Sequence, residues 1–215
     1  MKISTETLAV LTNFQSINQS LVLKPGELVK TLSDDKCILA TAKTSETFPS
    51  DFGIYDLAQF INNVNTLGTD TEIDFDGNQG TFKNNGFEVS FRACKPELIT
   101  QAPDKDLPMD DIKLSVVLEG TDLKKFLKLA NMNDLKNIAL ENRDGKIYIS
   151  ADDGSDTSNR IEHSLGDTDK ENCRVKFLTT HLKMIPGTYS VESTESFAKF
   201  TSQNGDLNYW IVAQK

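Results

Sequence analysis

Thr5-Glu6-Thr7-Leu8-Ala9-Val10-Leu11-Thr12-Asn13-Phe14 and Tyr55-Asp56-Leu57-Ala58-Gln59-Phe60-Ile61 read as short amphipathic helices. The second half of the chain answers them with Thr121-Asp122-Leu123-Lys124-Lys125-Phe126-Leu127 and Thr179-Thr180-His181-Leu182-Lys183-Met184-Ile185. Leu8 to Leu123 is an offset of 115 and Leu57 to Leu182 one of 125. A recurrence at that distance is too long for a solenoid and suits a duplicated domain.

Between the helices the chain reads as antiparallel sheet. Asp76-Gly77, Asn85-Gly86, Asp144-Gly145 and Asn204-Gly205 are hairpin pairs flanked by β-rich runs, because both central residues of the favoured tight turn need positive φ. The expected strands are Glu72 to Asp76 with Thr81 to Phe82, Gly86 to Arg92, Ile138 to Glu141 with Lys146 to Ser150, and Ser196 to Thr201 with Leu207 to Ala213. Pro96, Pro103 and Pro108 stand among acidic residues. Each proline removes a ladder donor and restricts its predecessor, so this stretch reads as an extended connector. The domains are therefore placed at 1–94 and 112–215, with the connector at 95–111.

The helix faces follow from the period. Helix one shows a narrow stripe of Leu8, Leu11, Phe14 or Gln15 and Asn18; helix two a full one of Leu57, Phe60, Ile61, Val64 and Leu67. Helix three is expected to bury Leu123, Phe126, Leu127 and Ala130. Lys124, Lys128 and Asn131 fall together on its opposite face, with Lys125 at the edge. Taken alone, such lysines are an ordinary solvated face.

Composition bounds the function. The 215 residues are 38% hydrophobic and 26% charged, with a net charge of −9. That is apolar enough for two small cores and acidic enough to argue against general nucleic-acid binding, which basic residues drive by releasing counterions. The charge is unevenly spread, however: Lys124, Lys125, Lys128 and Lys136 face only Asp122 and Asp134, while acid gathers in loops such as Asp104-Lys105-Asp106 and Asp152-Asp153-Gly154-Ser155-Asp156. The N-terminus lacks the apolar core of a signal peptide and no run approaches the roughly 20 residues of a membrane helix, so a soluble intracellular protein is expected. Cys37, Cys94 and Cys173 are odd in number and widely spaced, which favours buried free thiols over disulfides or zinc.

No catalytic constellation emerges. His163 and His181 sit in no metal-binding motif, and neither a phosphate-cradling glycine loop nor a G-x-S-x-G elbow is present. Asp74-Phe75-Asp76-Gly77-Asn78-Gln79-Gly80 opens like a calcium loop but lacks glycine at its sixth position and has Asn85 where glutamate is required, so an acidic hairpin turn is the better account. No catalytic residue, cofactor or metal is assigned.

Met1-Lys2-Ile3-Ser4, Asn13-Phe14, Ile17-Asn18, Leu23-Lys24-Pro25-Gly26-Glu27, Ile54-Tyr55-Asp56-Leu57 with Phe60, and Met184-Ile185-Pro186-Gly187-Thr188-Tyr189 resemble, in order and spacing, the DNA polymerase sliding clamps of T-even-type bacteriophages. Asn208-Tyr209-Trp210-Ile211-Val212-Ala213 is similar to the last strand of clamps generally. The resemblance implies an α+β DNA clamp fold: two similar domains, each of antiparallel sheet plus two helices, in a head-to-tail homotrimeric ring with helices lining the hole. It further implies that the ring encircles double-stranded DNA without reading sequence and tethers the replicative DNA polymerase. The implied loader is a clamp-loader ATPase and the implied setting the cytoplasm of the infected bacterial host, with late-transcription factors as further users. No membrane partner is implied.

Carried onto this sequence, the resemblance implies DNA-facing positions at Lys2, Lys124, Lys125, Lys128, Lys136 and Lys183. Thr5 and Thr12 stand where related clamps commonly carry lysine, and Gln59, Asn62, Asn63 and Asn65 leave helix two neutral, so positive lining falls mainly on domain two. Subunits would join by strand addition between Gly86 to Cys94 and a strand near Ser158 to Leu165 of the neighbour, through Phe87, Val89, Phe91, Arg160, Ile161 and His163. Leu98, Ile99 and Leu107 are the candidates beside the pocket for the polymerase tail, or else pin the connector to the sheet. The competing reading is a β-rich virion or scaffold protein whose duplication serves assembly alone.

Overall fold

The computed structural model describes residues 1–154 and 159–214. The chain forms two compact units, Met1–Asp104 and Lys105–Lys215. The first runs α1 (Thr5–Ile17), β1 (Leu21–Leu23), β2 (Gly26–Leu32), β3 (Ile38–Phe48), β4 (Phe52–Ile54), α2 (Leu57–Leu67), β5 (Glu72–Phe75), β6 (Gln79–Asn84) and β7 (Phe87–Arg92). The second runs β8 (Leu114–Leu118), α3 (Gly120–Met132), β9 (Asn137–Arg143), β10 (Lys146–Asp152), β11 (Arg160–Asp167), β12 (Cys173–Leu178), a 3₁₀ turn (Thr179–His181), β13 (Tyr189–Ser193), β14 (Phe197–Ser202) and β15 (Leu207–Val212). Both units therefore read helix, four strands, helix or turn, three strands. Even β8 has a counterpart, since Met1 and Ile73 exchange two backbone hydrogen bonds of 2.7 Å, a pairing like that of β8 with β13.

In the first unit β1 pairs with β4, β2 with β3, and β5, β6 and β7 form a meander. α2 lays Leu57, Phe60, Ile61 and Val64 on that meander. There Phe60 meets Phe82 at 5.2 Å and Phe91 at 5.7 Å, both edge to face, an arrangement aromatic quadrupoles favour. Asp76 closes the β5–β6 turn by accepting from the Asn78 and Gln79 amides at 2.9 and 2.7 Å, the role of an acidic turn residue. In the second unit β9 and β10 are the inner strands of a sheet ordered β11-β10-β9-β12, and β13 lies between β8 and β14, with β15 beyond β14.

Several expectations need correction. The fourth helix, expected from Thr179 to Ile185, is only the turn Thr179–His181. Two β-branched threonines open it and Pro186 closes it, leaving too few residues to repay helix nucleation. Leu182 leaves helical space at φ −81°, ψ 58°. Among the described residues the second unit accordingly has one α-helix. In α1 the buried face is Thr7, Leu11, Phe14 and Ile17; Leu8 is half-buried and Asn18 caps the C-terminus. Leu127 and the three free cysteines are half-buried.

The Thr7 burial is explained by polar capping. Ser4 Oγ accepts the Thr7 amide at 3.2 Å, the Ser4 amide donates to Glu46 at 2.5 Å, and the Thr7 hydroxyl donates to the same carboxylate. Glu46 thus supplies a fixed negative charge at the positive end of α1.

Residues 95–104 belong with the first unit. Gly53 and Cys94 form an isolated bridge, with the Cys94 amide donating to the Gly53 carbonyl at 2.7 Å. A Cβ on Gly53 would stand 2.2 Å from the Cys94 oxygen. Only glycine permits this approach.

Candidate nucleic-acid interface, strand edges and connector cavity

α3 is held by its apolar stripe and by its start. Leu123, Phe126 and Ala130 are buried. The Gly120 amide donates to Thr188 Oγ1 at 3.0 Å, and the Leu123 amide to the Glu119 carbonyl at 2.9 Å. This leaves Lys124, Lys125 and Lys128 exposed on the far face. Lys136 is also exposed, just past the helix, as is Lys183 after the 3₁₀ turn that packs on α3.

Several lysines of the chain are held in ion pairs. Lys2 pairs with Asp70 at 3.0 Å, Lys24 with Asp104 at 2.7 Å, Lys43 with Glu27 at 3.5 Å, Lys83 with Glu88 at 3.3 Å and Lys113 with Asp111 at 2.7 Å. By contrast, among the described residues Lys124, Lys125, Lys128 and Lys136 have no carboxylate within salt-bridge reach. The one acid in the first turn of α3, Asp122, lies 3.8 Å from His163 Nε2. In a chain of net charge −9, an unneutralised cluster of four ammonium groups is a local field that loose ions or a polyanion would screen.

β7 and β11 each lie at an edge of their sheet, so each offers a row of backbone donors and acceptors. Along β7, Phe87 is 69% exposed, Val89 half-buried and Phe91 7% exposed. Phe91 is thus corrected as an interface residue: the strand enters the first unit's core there, and the ring packs on Phe60. On β11, Arg160 and His163 are exposed and Ile161 half-buried. The neighbouring position Ser158 lies outside the described residues. Arg160 is not idle: its Nη2 reaches Glu162 at 2.5 Å, while Arg143 meets the other Glu162 oxygen at 2.9 Å and stacks 4.5 Å over Tyr148. Desolvation pushes the Glu162 carboxyl up, but the two guanidiniums outweigh it and hold it below the usual carboxylate range.

A cavity of about 210 Å³ opens beside the connector, walled by Leu21, Val22, Pro25, Leu28, Thr100 and Ala102. Lys24 and Lys30 clamp its rim by donating to the Asp104 carboxylate and carbonyl at 2.7 and 2.9 Å. None of the three expected pocket residues lines it. Leu98 is 71% exposed on a 3₁₀ turn, Ile99 is buried with its Cδ1 near Gly53, and Leu107 belongs to the second unit. Ile99 pins the connector; the apolar wall comes from β1 and β2, which carried no hairpin signal to draw attention to them.

Residues 4–81 match the family model described as DNA polymerase processivity factor. The sliding clamp of Enterobacteria phage T4 is 28% identical over 226 aligned positions, spanning 100% of this chain and 97% of that protein. The sliding clamp of Escherichia phage RB69 is 28% identical, with 89% and 86% covered. The matches together support a sliding clamp of the T-even phage type. Among solved structures, A. fulgidus PCNA bound to the C-terminal region of FEN-1 superposes with a TM-score of 0.72 at 12% identity, over 97% of this chain and 94% of that one. The Helicobacter pylori β clamp superposes at 0.68 and 14% identity, over 100% of this chain and 65% of that longer one. These likenesses show the clamp fold, and the clamp is a DNA polymerase processivity factor. Among the described residues no helix of the clamp is long and apolar enough to cross a membrane.

Proposed function

We propose that this clamp closes head to tail into a homotrimeric ring around duplex DNA in the cytoplasm of an infected bacterium and tethers the replicative polymerase there. The observation that carries this reading is the unpaired lysine cluster of α3 on an otherwise acidic chain. A ring holds DNA by topology, so its attraction for phosphate can stay weak enough for sliding. Acid elsewhere repels the duplex, while Lys124, Lys125, Lys128, Lys136 and Lys183 offset it locally within about a Debye length, roughly 8 Å at physiological salt. Lys2, already paired with Asp70, contributes less.

The free edges β7 and β11 would join neighbouring subunits by strand addition, with Phe87, Val89, Ile161, His163 and the Arg160 cluster at the seam. The domains would be 1–94 and 112–215 with the connector between them. The connector cavity would take the polymerase's C-terminal tail. Support comes from relatives solved with partner segments, the FEN-1 C-terminal region on A. fulgidus PCNA and a DNA ligase peptide on the H. pylori β clamp. A clamp-loader ATPase opens the ring, and late-transcription factors use it as a moving platform. The clamp itself catalyses nothing and holds no metal or cofactor.

Retention on one plasmid before and after linearisation tests the reading. Loaded clamp should persist on closed circles at salt that abolishes electrostatic binding, and be lost on cutting. Equal retention on both forms with a steep salt dependence would mean binding without encirclement. Open filaments in place of a discrete trimer by light scattering would favour the scaffold alternative.

A further inference from the structure

The duplicated helices are chemically unequal. Applying the 115-residue offset, Lys124, Lys125 and Lys128 of α3 correspond to Ala9, Val10 and Asn13 of α1. Neither α1 nor α2 carries a lysine or arginine, and α1 exposes Glu6. Two of the α1 hydroxyls are turned back on their own helix, Thr12 donating to the Leu8 carbonyl at 2.8 Å and Ser16 to the Asn13 carbonyl at 2.7 Å. α2 differs. Gln59, Asn62, Asn63 and Thr66 lie at the 3- and 4-residue spacings that share one helix face, opposite the buried Leu57, Phe60, Ile61 and Val64. They line an open groove that Val89 borders. Among the described residues, the side-chain amides of Gln59, Asn62 and Asn63 have no protein partner.

We propose that the two halves of each subunit divide the work at DNA: α3 contacts phosphates through charge, and α2 contacts them through the neutral carboxamides of Gln59, Asn62 and Asn63. This rests on the ring reading above and deepens it. A carboxamide offers two N–H donors to a phosphate oxygen and a carbonyl to its hydration shell, and neutralises no charge. It therefore releases no counterion, and its contact survives rising salt better than that of a lysine. Charged contact then recurs once per subunit, not twice, with a neutral, water-bridged surface between.

The test is the affinity of the intact clamp for a short mixed-sequence duplex across a salt series. Replacing Lys124, Lys125 and Lys128 together by alanine should flatten log K against log salt, by about 0.9 for each phosphate contact removed. Replacing Gln59, Asn62 and Asn63 together by alanine should displace the line to weaker binding, with its slope unchanged. Gln59→Lys with Asn63→Lys should steepen it, a gain of function that no folding defect can imitate. An alanine amide variant whose line overlays wild type, or a double-lysine variant with wild-type slope, would overturn the division. Retention on circular against linear plasmid, measured on the wild type, separates this from failure of the ring: a clamp retained on circles but insensitive to the amide changes refutes the division alone.

Discussion

Tyr189 and Tyr209 hold one residue from both sides. The Tyr189 hydroxyl donates to the Ile185 carbonyl at 2.5 Å, the Ile185 amide donates to the Tyr209 hydroxyl at 3.1 Å, and the rings meet edge to face at 6.1 Å. Where the fourth helix fails, these hydroxyls supply the backbone partners that helical turns would have given. Burial pushes the Tyr189 phenol up to about 12 and the Tyr209 phenol higher still, so both stay neutral and able to donate at any physiological pH. Tyr209→Phe strands the Ile185 amide and should cost about 1–3 kcal/mol in chemical denaturation. An unchanged midpoint would show that water replaces the hydroxyl without loss.

The carboxylate under α1 gives the clamp a signature in acid. Desolvation raises the Glu46 carboxyl, but the hydrogen bonds from Thr7 and Ser4 outweigh it and leave it below the ordinary glutamate value. A depressed folded pKa contributes stability that is fully present above the unfolded value and is lost as pH falls through the folded one. Glu46→Gln should therefore lower stability by about 1 kcal/mol at neutral pH and shrink the difference from wild type as the solution is acidified below the glutamate range. Parallel pH–stability curves for the two proteins would refute the role.

Much of this architecture was legible in the chain. Tight-turn pairs such as Asp144-Gly145 located their hairpins because φ is positive at both residues, 52° and 75°, and α2 and α3 betrayed themselves by their apolar stripes. What escaped was decided by tertiary contacts. Thr7 is a polar residue on a buried face because Glu46, 39 positions away, satisfies its hydroxyl. Phe91 looked like an edge residue beside Phe87, since both share a strand face; only the packing of α2 over the C-terminal end of β7 separates a core ring from an exposed one. The lysine face of α3 could be read from spacing, but its lack of acidic partners needed three dimensions.

Gly53 tests how the connector is anchored. Gly53→Ala drives a methyl against the Cys94 carbonyl, and overpacking against backbone costs about 1–3 kcal/mol. Its damage should be local: hydrogen exchange should rise at the Cys94 and Ile99 amides, while α3, in the other unit, keeps its protection. Uniform loss of protection through both units would show that the two unfold together.

Phe87 and Phe91 separate interface from core on a single strand. Phe91→Ala should cost about 3–5 kcal/mol, since it opens a cavity among Phe52, Phe60 and Phe82. Phe87→Asp removes a ring that is 69% exposed, so the isolated subunit should lose no more than about 0.5 kcal/mol. If β7 is the pairing edge, the same change sets an unpaired carboxylate into the seam between subunits, and desolvating it there is costly. Light scattering across a dilution series should show Phe87→Asp as folded monomer at concentrations where wild type is a trimer, with far-UV dichroism unchanged. A Phe87→Asp protein that stays trimeric at the lowest measurable concentration would move the seam off β7 and leave that aromatic ring for another partner.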